Sequence, residues 1–390
     1  MIPVIDIPSW IASFSEAINM SYHKKRFLTA FILGLILSPT KTVRDIARVS
    51  LDGPSSAALN KFLTKYDWDA AKANRKRIEE LQNHNETRWK KRGLGIIDDT
   101  LLEKEGENIP FSGKFYDHAK GVFMHGQSFV SLHFADHKTS YAVDYRPYIK
   151  KGEPGHATKI QLAKDLITEA IENMGMPAFT FMFDSWYLCD ELIRHIESYG
   201  RLWIAASKTD RLVLVNGRYI SIAGYIASLK ESDFENRTAN GKVLLVHHKS
   251  LYFKSLGKKA RLIISKDGKG TLILVTNRSG TVEGIIEDYM LRWNIETFHK
   301  DAKQYLGLGK CQLRDEEGAK RYWYLVLMAH SVLRLGGSEY IPGIVSKTKG
   351  IAGAAKGHMI DAVYRFVSWV MESGLKADEI TVMIMDRWFI

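Results

Sequence analysis

The sequence predicts an α/β protein: a mixed sheet with helical crossovers, entered through an all-α segment and followed by a second block of strands. Three observations predict it. From Gly93 the hydrophobic period changes, and apolar runs alternate with amphipathic segments in the order three strands, helix, strand, helix, strand. Two of those strands end in acid, Asp98 in GIIDDT and Asp184 in FMFDSWY. An amphipathic helix, Ile285 to Tyr305, follows the second block and gathers charged and aromatic residues on one face.

The first 92 residues read as helices with no convincing strand. They hold 16 Lys and Arg against 9 Asp and Glu, so +7 of the chain's net +11 resides there. Phe27, Ile32, Leu35 and Ile36 mark a buried helix that stops before Ser38-Pro39. The apolar run Phe27 to Leu37 lies behind Lys24, Lys25 and Arg26, as in a secretory leader. Asp6 and Glu16 precede it, however, no small-residue cleavage site follows, and it is too short to span a bilayer. A core helix and a cytoplasmic protein are expected, with no membrane partner. Thr42 is placed to cap a short helix carrying Val43, Ile46 and Ala47 inward, and a third helix begins near Ser55 after Asp52-Gly53-Pro54. Two short helices around a Gly-containing turn resemble a helix-turn-helix, with a plain helical bundle the equal alternative. Lys72 to Arg77 adds four basic residues on a further helix.

Leu94 to Asp98 is an apolar run, Asn108 to Lys120 a loop, and Gln127 to Ala135 and Thr139 to Tyr148 a hairpin turning at Asp136-His137-Lys138. Lys159 to Met174 reads as a helix closed by Gly175 and Pro177, Ala178 to Phe183 as a buried strand, Tyr187 to Tyr199 as a helix and Leu202 to Ala206 as another buried strand. The second β-rich block comprises Leu212 to Val215, Lys242 to His248, Ser250 to Phe253, Arg261 to Ser265 and Thr271 to Thr276. Its turn signals are Asn216-Gly217, Asn240-Gly241 and Asp267-Gly268. Gly318 to Leu335 is an apolar helix, and a Gly- and Lys-rich linker, Gly343 to Gly357, leads to a helical tail.

Composition narrows the function classes. The 390 residues are 45% hydrophobic and 25% charged, as in globular proteins, and the pI near 9.3 favours a polyanionic partner. Two cysteines, Cys189 and Cys311, without metal-ligand spacing argue for a reducing compartment and against a zinc module.

The chemistry lies in acids. A carboxylate at the C-terminal end of a buried strand is where an α/β sheet sets its reactive groups, although one such Asp is more often a turn residue. Asp98 and Asp184 together with Glu296 make three, and three converging carboxylates call for a hard divalent cation. Mg²⁺ fits, with Mn²⁺ as the alternative. Two such ions support in-line phosphoryl transfer. On a wheel of about 100° per residue, Tyr289, Arg292, Glu296 and Lys303 share a stripe bordered by Trp293. The bland alternative is a solvated i,i+4 salt-bridge face.

The pattern Tyr289, two residues, Arg292, three residues, Glu296, six residues, Lys303, within the string RWNIETFHKDAK, resembles the Y-R-E-K signature of DDE transposases of bacterial and archaeal insertion sequences. The resemblance covers roughly Gly93 to Leu335. It implies an RNase H-like catalytic core with an inserted β subdomain at about 208–280, and the triad Asp98, Asp184 and Glu296 as catalytic metal ligands. Asp98 is chosen over Asp99 because the family's motif reads Asp, any residue, then Thr or Ser. Tyr289, Arg292, Trp293 and Lys303 are then expected on DNA. The implied layout is a helical DNA-binding domain at 1–92, the catalytic domain at 93–342 and a helical tail at 343–390. The implied activity is cut-and-paste transposition of double-stranded DNA, from terminal inverted repeats into a target, by a homodimer. The alternatives are an RNase H-like nuclease without strand transfer and a non-catalytic host-retained DNA-binding protein. One departure is plain: Lys208 to Gly280 contains no Trp, and Ser185-Trp186-Tyr187 follows Asp184 where some members have Arg-Glu. A hairpin intermediate is therefore not implied.

Overall fold

A computed structural model of the chain describes residues 14, 16, 20–49, 53–90, 92–117, 120–335 and 350–388. Asp52 and the first part of the Gly343–Gly357 segment lie outside the described residues. In chain order the helices α1 (Tyr22–Leu37), α2 (Val43–Arg48), α3 (Ser56–Thr64) and α4 (Ala70–Asn83) come first. Strands β1 (Leu94–Glu103), β2 (Ser112–Asp117), β3 (Val122–Ala135) and β4 (Ser140–Tyr148) follow. Next come α5 (Lys159–Thr168) with a π-helical turn (Glu169–Asn173), β5 (Thr180–Phe183), α6 (Asp190–Ser198) and β6 (Leu202–Ala206). The second β-rich block holds β7 (Leu212–Val215), β8 (Arg218–Ser221), α7 (Ile222–Ser228), β9 (Glu235–Ala239), β10 (Lys242–Phe253), β11 (Lys258–Lys266) and β12 (Thr271–Thr276). Helices α8 (Val282–Met290), α9 (Trp293–Tyr305), α10 (Glu316–Leu335), α11 (Gly350–Ser373) and α12 (Ala377–Trp388) complete the chain. The chain divides into two compact units, one of Met1–Arg88, Leu101–Ser128 and Thr297–Ile390, the other of Trp89–Thr100 and Phe129–Glu296. No helix among the described residues is long and apolar enough to cross a membrane.

In the first unit, α10 is apolar on nearly every side and buried from Gly318 to Leu333 apart from Lys320, so it packs against α1, α3 and α4 at once. Thr42 caps α2 by accepting from the Asp45 N–H, and Ser55 caps α3 by accepting from Ala58, as their sequences predict. Arg77, one of the four basic residues of 72–77, is buried. It donates from Nε to Asn74 Oδ1 at 2.9 Å and from Nη1 to Ser331 Oγ at 2.8 Å. Arg321 likewise donates to the carbonyls of Leu63 and Trp68. Buried guanidinium groups need such acceptors, so these two cations hold helices together rather than face a ligand. Strand β2 falls where a loop is expected. It pairs antiparallel with the first half of β3, from Ser112 opposite Gln127 to Asp117 opposite Val122. It is a half-exposed edge with little apolar content, so its sequence carries no strand period. Residues 350–357 are helical rather than linker; alanines among the glycines sustain α11.

The second unit is built on a sheet in which β3, β1, β5 and β6 lie side by side and continue into β12, β11, β10, β7 and β8. Strand β4 pairs with β3, and β9 with β10. Strands β1, β5 and β6 are parallel, with Ile97 opposite Phe183 and Phe183 opposite Ala205. Gly95 lets β5 close up: a Cβ there would sit 2.6 Å from the Phe181 ring. The two strands predicted at 242–248 and 250–253 are one strand, β10, because Lys249 continues the ladder opposite Leu262. Asn216-Gly217 and Asn240-Gly241 turn as predicted, all four residues at positive φ. Ile96, Met182, Ile204, Ile263 and Leu274 form the core beneath α8, which contributes Ile285, Ile286 and Tyr289.

The predicted single helix from Ile285 to Tyr305 is two helices. Between α8 and α9 the backbone tightens to i−3 bonding, Arg292 N–H to Tyr289 O and Ile295 N–H to Arg292 O. The Asn294 side chain takes the Leu291 carbonyl at 2.8 Å, and this local competition explains the break.

Candidate active site

Strand β5 ends beside the middle of β1, which runs on to Glu103 instead of stopping at Asp98 as its apolar run predicts, because its second half keeps the extended backbone beyond the acids. Since Ile97 pairs with Phe183, Asp98 and Asp184 are the next residues on two adjoining parallel strands. Asp184 also serves its own turn: Oδ1 accepts from the backbone N–H of Trp186 at 2.9 Å and of Tyr187 at 3.3 Å. The turn role and a role in chemistry thus coexist in one side chain.

Arg292, at the joint between α8 and α9, ties two of the acids together. Nη1 lies 3.3 Å from Asp98 Oδ2 and Nη2 lies 2.7 Å from Glu296 Oε1. The Arg292 and Asp98 side chains are 14% and 17% exposed, and Glu296 is 36% exposed. Burial pushes the Asp98 carboxyl up to about 7. The Arg292 guanidinium and the Asp99 N–H oppose that shift, and the charges of Asp99 and Asp184 add to it. A carboxylate destabilised by burial gains from a second cation.

The other side of β1 is different. Asp99 accepts from Lys159 Nζ at 2.5 Å and from the Tyr187 hydroxyl at 3.0 Å. Tyr187 is fully buried, and burial, reinforced by the acids Asp99, Asp98 and Asp184, pushes its phenol far up, so it remains a donor. Neither Lys159 nor Tyr187 is apparent as a site residue from sequence; the only signal is the aromatic pair following Asp184.

The remaining expected residues separate. Tyr289, on the charged stripe of the ideal wheel, is buried with Ile285 and Ile286. Burial pushes its phenol up to about 12 against the pull of Arg292. It buttresses Arg292, whose guanidinium lies 5.9 Å from its ring. Trp293 is 57% exposed and lies at a groove of about 450 Å³ with Met290, Ile286, Leu272, Leu244 and Asn240. Lys303 belongs to the first unit and donates to the Leu101 carbonyl of that unit at 3.1 Å. Burial lowers its pKa, partly offset by Asp117.

The acids present an all-oxygen donor set. Mg²⁺ takes one or two protein carboxylates and completes its shell with water and substrate phosphate. Asp98 and Asp184, all-oxygen ligands on adjoining strands within electrostatic reach of each other, fit that requirement. Glu296 instead faces the Arg292 guanidinium, and no group of three or more His, Cys, Asp or Glu is arranged to hold a metal ion among the described residues.

Comparison with known proteins adds an independent line. The sequence model of a family described as DDE superfamily endonuclease matches residues 13–219, and that of a family described as archaeal putative transposase ISC1217 matches residues 139–338. Each spans just over half of the chain. No curated protein matches. Among solved structures, endonuclease V from Bacillus subtilis is similar at 13% identity, covering 59% of this chain and 84% of that one, with a TM-score of 0.25. At that score the likeness carries no weight for the fold.

Proposed function

The chain belongs to the DDE superfamily of endonucleases and transposases, and from that premise we propose that it is an insertion-sequence transposase. On this reading it binds element-end DNA, cleaves it and joins the 3′ ends to target DNA. The observation that carries the reading is the juxtaposition of Asp98 and Asp184 on adjoining parallel strands, with Arg292 linking Asp98 to Glu296. We read strands β3, β1, β5 and β6, with β4 beside β3, as an RNase H-like core and the β7–β12 block as its insertion. The basic helices of the first 92 residues are assigned to end recognition, and the terminal helices to a homodimer.

Asp98 and Asp184 are the residues assigned to hold Mg²⁺, or Mn²⁺ in its place, with Glu296 completing the set when Arg292 releases it. When bound, such a cation supplies charge neutralisation at the scissile phosphate and acidifies the attacking hydroxyl. The chain's own residues do the rest. Arg292 presents a planar fork of donors that exchanges a carboxylate for a phosphate without loss of geometry. Tyr289 holds that fork from behind. Trp293 offers an exposed indole for a base unstacked at the duplex end, and Lys303, in the first unit, is assigned to a DNA phosphate. Lys159 and Tyr187 fix Asp99, so β1 cannot twist at this point and turn Asp98 away.

The test is a cleavage and joining assay with the element's own flanking DNA and Mg²⁺. Cleaved and joined products from the wild type, and neither from Asp98→Asn, are expected. Cleavage without joining would favour a nuclease that lacks strand transfer; binding without cleavage would favour the non-catalytic DNA-binding reading.

A further inference from the structure

A pocket of about 470 Å³ opens just past Asp184, lined by Ser185, Trp186, Lys208, Asp210, Arg211 and Lys254 among others. The chemistry above does not use it. Arg211 is its fixed post. Nη2 donates to the carbonyls of Ser185 at 3.1 Å and Leu188 at 2.6 Å, and Nη1 to Ser255 Oγ at 3.1 Å. These bonds fasten the loop carrying Trp186 to the start of the β7–β12 block.

Lys208 and Lys254 are exposed, and neither has a carboxylate partner among the described residues; Lys254 lies over the Tyr219 ring at 5.3 Å. Asp210 is the acidic lining residue, and its field falls on Arg211. Trp186 is 49% exposed, edge-on to Tyr187, with Lys159 Nζ 5.5 Å from its ring centre. An indole left half in water beside the exposed Lys208 and Lys254 suits one ligand class well: a polyanion with aromatic faces.

We propose that this pocket binds a single-stranded DNA segment, with Lys208 and Lys254 on its phosphates and Trp186 stacked on an unpaired base. A duplex keeps its base faces stacked, whereas an unpaired strand offers them, and the volume lies in the range of pockets that hold small ligands. Because Ser185 and Trp186 directly follow Asp184, a strand bound here continues from the proposed catalytic acids. The inference therefore rests on the DNA-cleavage reading and extends it to a strand separated beside the cut.

The test uses the full-length protein in chelator, with fluorescence anisotropy on a blunt duplex and on the same duplex carrying a short oligothymidine tail. The wild type is expected to bind the tailed duplex at least about tenfold tighter. Lys208→Gln with Lys254→Gln should remove that preference and reduce the salt slope by about 1.4, two phosphate contacts at about 0.7 each for a single strand. Trp186→Ala should cost about tenfold on the tailed duplex only. These side chains are exposed, so melting temperatures should not change. Equal binding of blunt and tailed duplexes by the wild type, an unchanged slope in the double variant, or a preference for an RNA tail overturns the proposal. Cleavage of element ends is measured in parallel. Tail preference without cleavage leaves the pocket standing and sinks the transposase reading; cleavage without tail preference does the reverse.

Discussion

Asp98 and Asp99 are neighbours in sequence and opposites in setting. Asp98 meets a guanidinium that it shares with Glu296, while Asp99 is held by an ammonium and a buried phenol. Strand alternation sends the two side chains to opposite faces, so one residue of register decides which carboxylate faces the proposed reaction and which anchors the strand. A shared cation is exchangeable, because each acid retains part of it. A dedicated Lys with a dedicated Tyr is structural.

The largest effect should break the comparison outright. Asp98→Asn is expected to lower single-turnover cleavage by at least about a thousandfold, the scale of losing one member of a catalytic unit. Asp99→Asn should instead cost about 1–3 kcal/mol of stability, by weakening acceptance from Lys159 and the buried Tyr187 hydroxyl, with cleavage within about tenfold of wild type. Reversal of the two phenotypes would move the assignment to Asp99. Next, Arg292→Ala should reduce cleavage by roughly a hundredfold and raise the Asp98 pKa further, since the cation opposing burial is gone. Carboxyl NMR titration reads that shift, and an unshifted Asp98 would count against the pairing. Arg292→Lys, which keeps charge but not the fork, should fall between.

Tyr187→Phe tests the anchoring side alone. It removes one hydrogen bond and should cost about 1 kcal/mol in urea denaturation, with cleavage unchanged. A separate test reads stability against pH. The folded pKa of Asp98 is raised from 3.8 to about 7, so its contribution is fully present below 3.8 and lost as pH rises to about 7. His299 works the other way. Burial, aided by Lys303, lowers it from 6.5 to about 3, so its contribution is present above 6.5 and lost as pH falls towards 3. Asp98→Asn should remove the first limb of the stability profile and His299→Leu the second; any other pairing would show that the titrating groups are misassigned.

Much of this was readable from residues because it is local. The caps at Thr42 and Ser55, the Asn-Gly turns and the apolar runs leading into Asp98 and Asp184 each need only a few neighbouring positions, whereas the continuation of β1 to Glu103 does not show in them. What was not readable depends on distant partners. Strand β2 exists because β3 offers it a ladder, Arg77 is buried because Ser331 faces it, and β10 runs unbroken because Lys249 meets Leu262. The wheel that grouped Tyr289 with Arg292 and Glu296 assumed one straight helix. The turn at Leu291 and Arg292 sent the phenol into the core and left the guanidinium, largely buried, between Asp98 and Glu296 at the joint. Trp186 drew notice only as a departure from the family pattern, and its cationic surroundings come from Lys159, 27 positions before it, and from residues 22 to 68 positions after it.

The shared guanidinium has one more consequence. A corner that gathers several acids usually waits for an ion from solution before it settles, as small metal-nucleated domains do. Here the polypeptide brings its own counter-ion, covalently attached and always charged. On the proposed reading, the fold of this corner should therefore persist in a chelator. On that same reading, a divalent cation would meet a corner already shaped and would compete with Arg292 for its carboxylates.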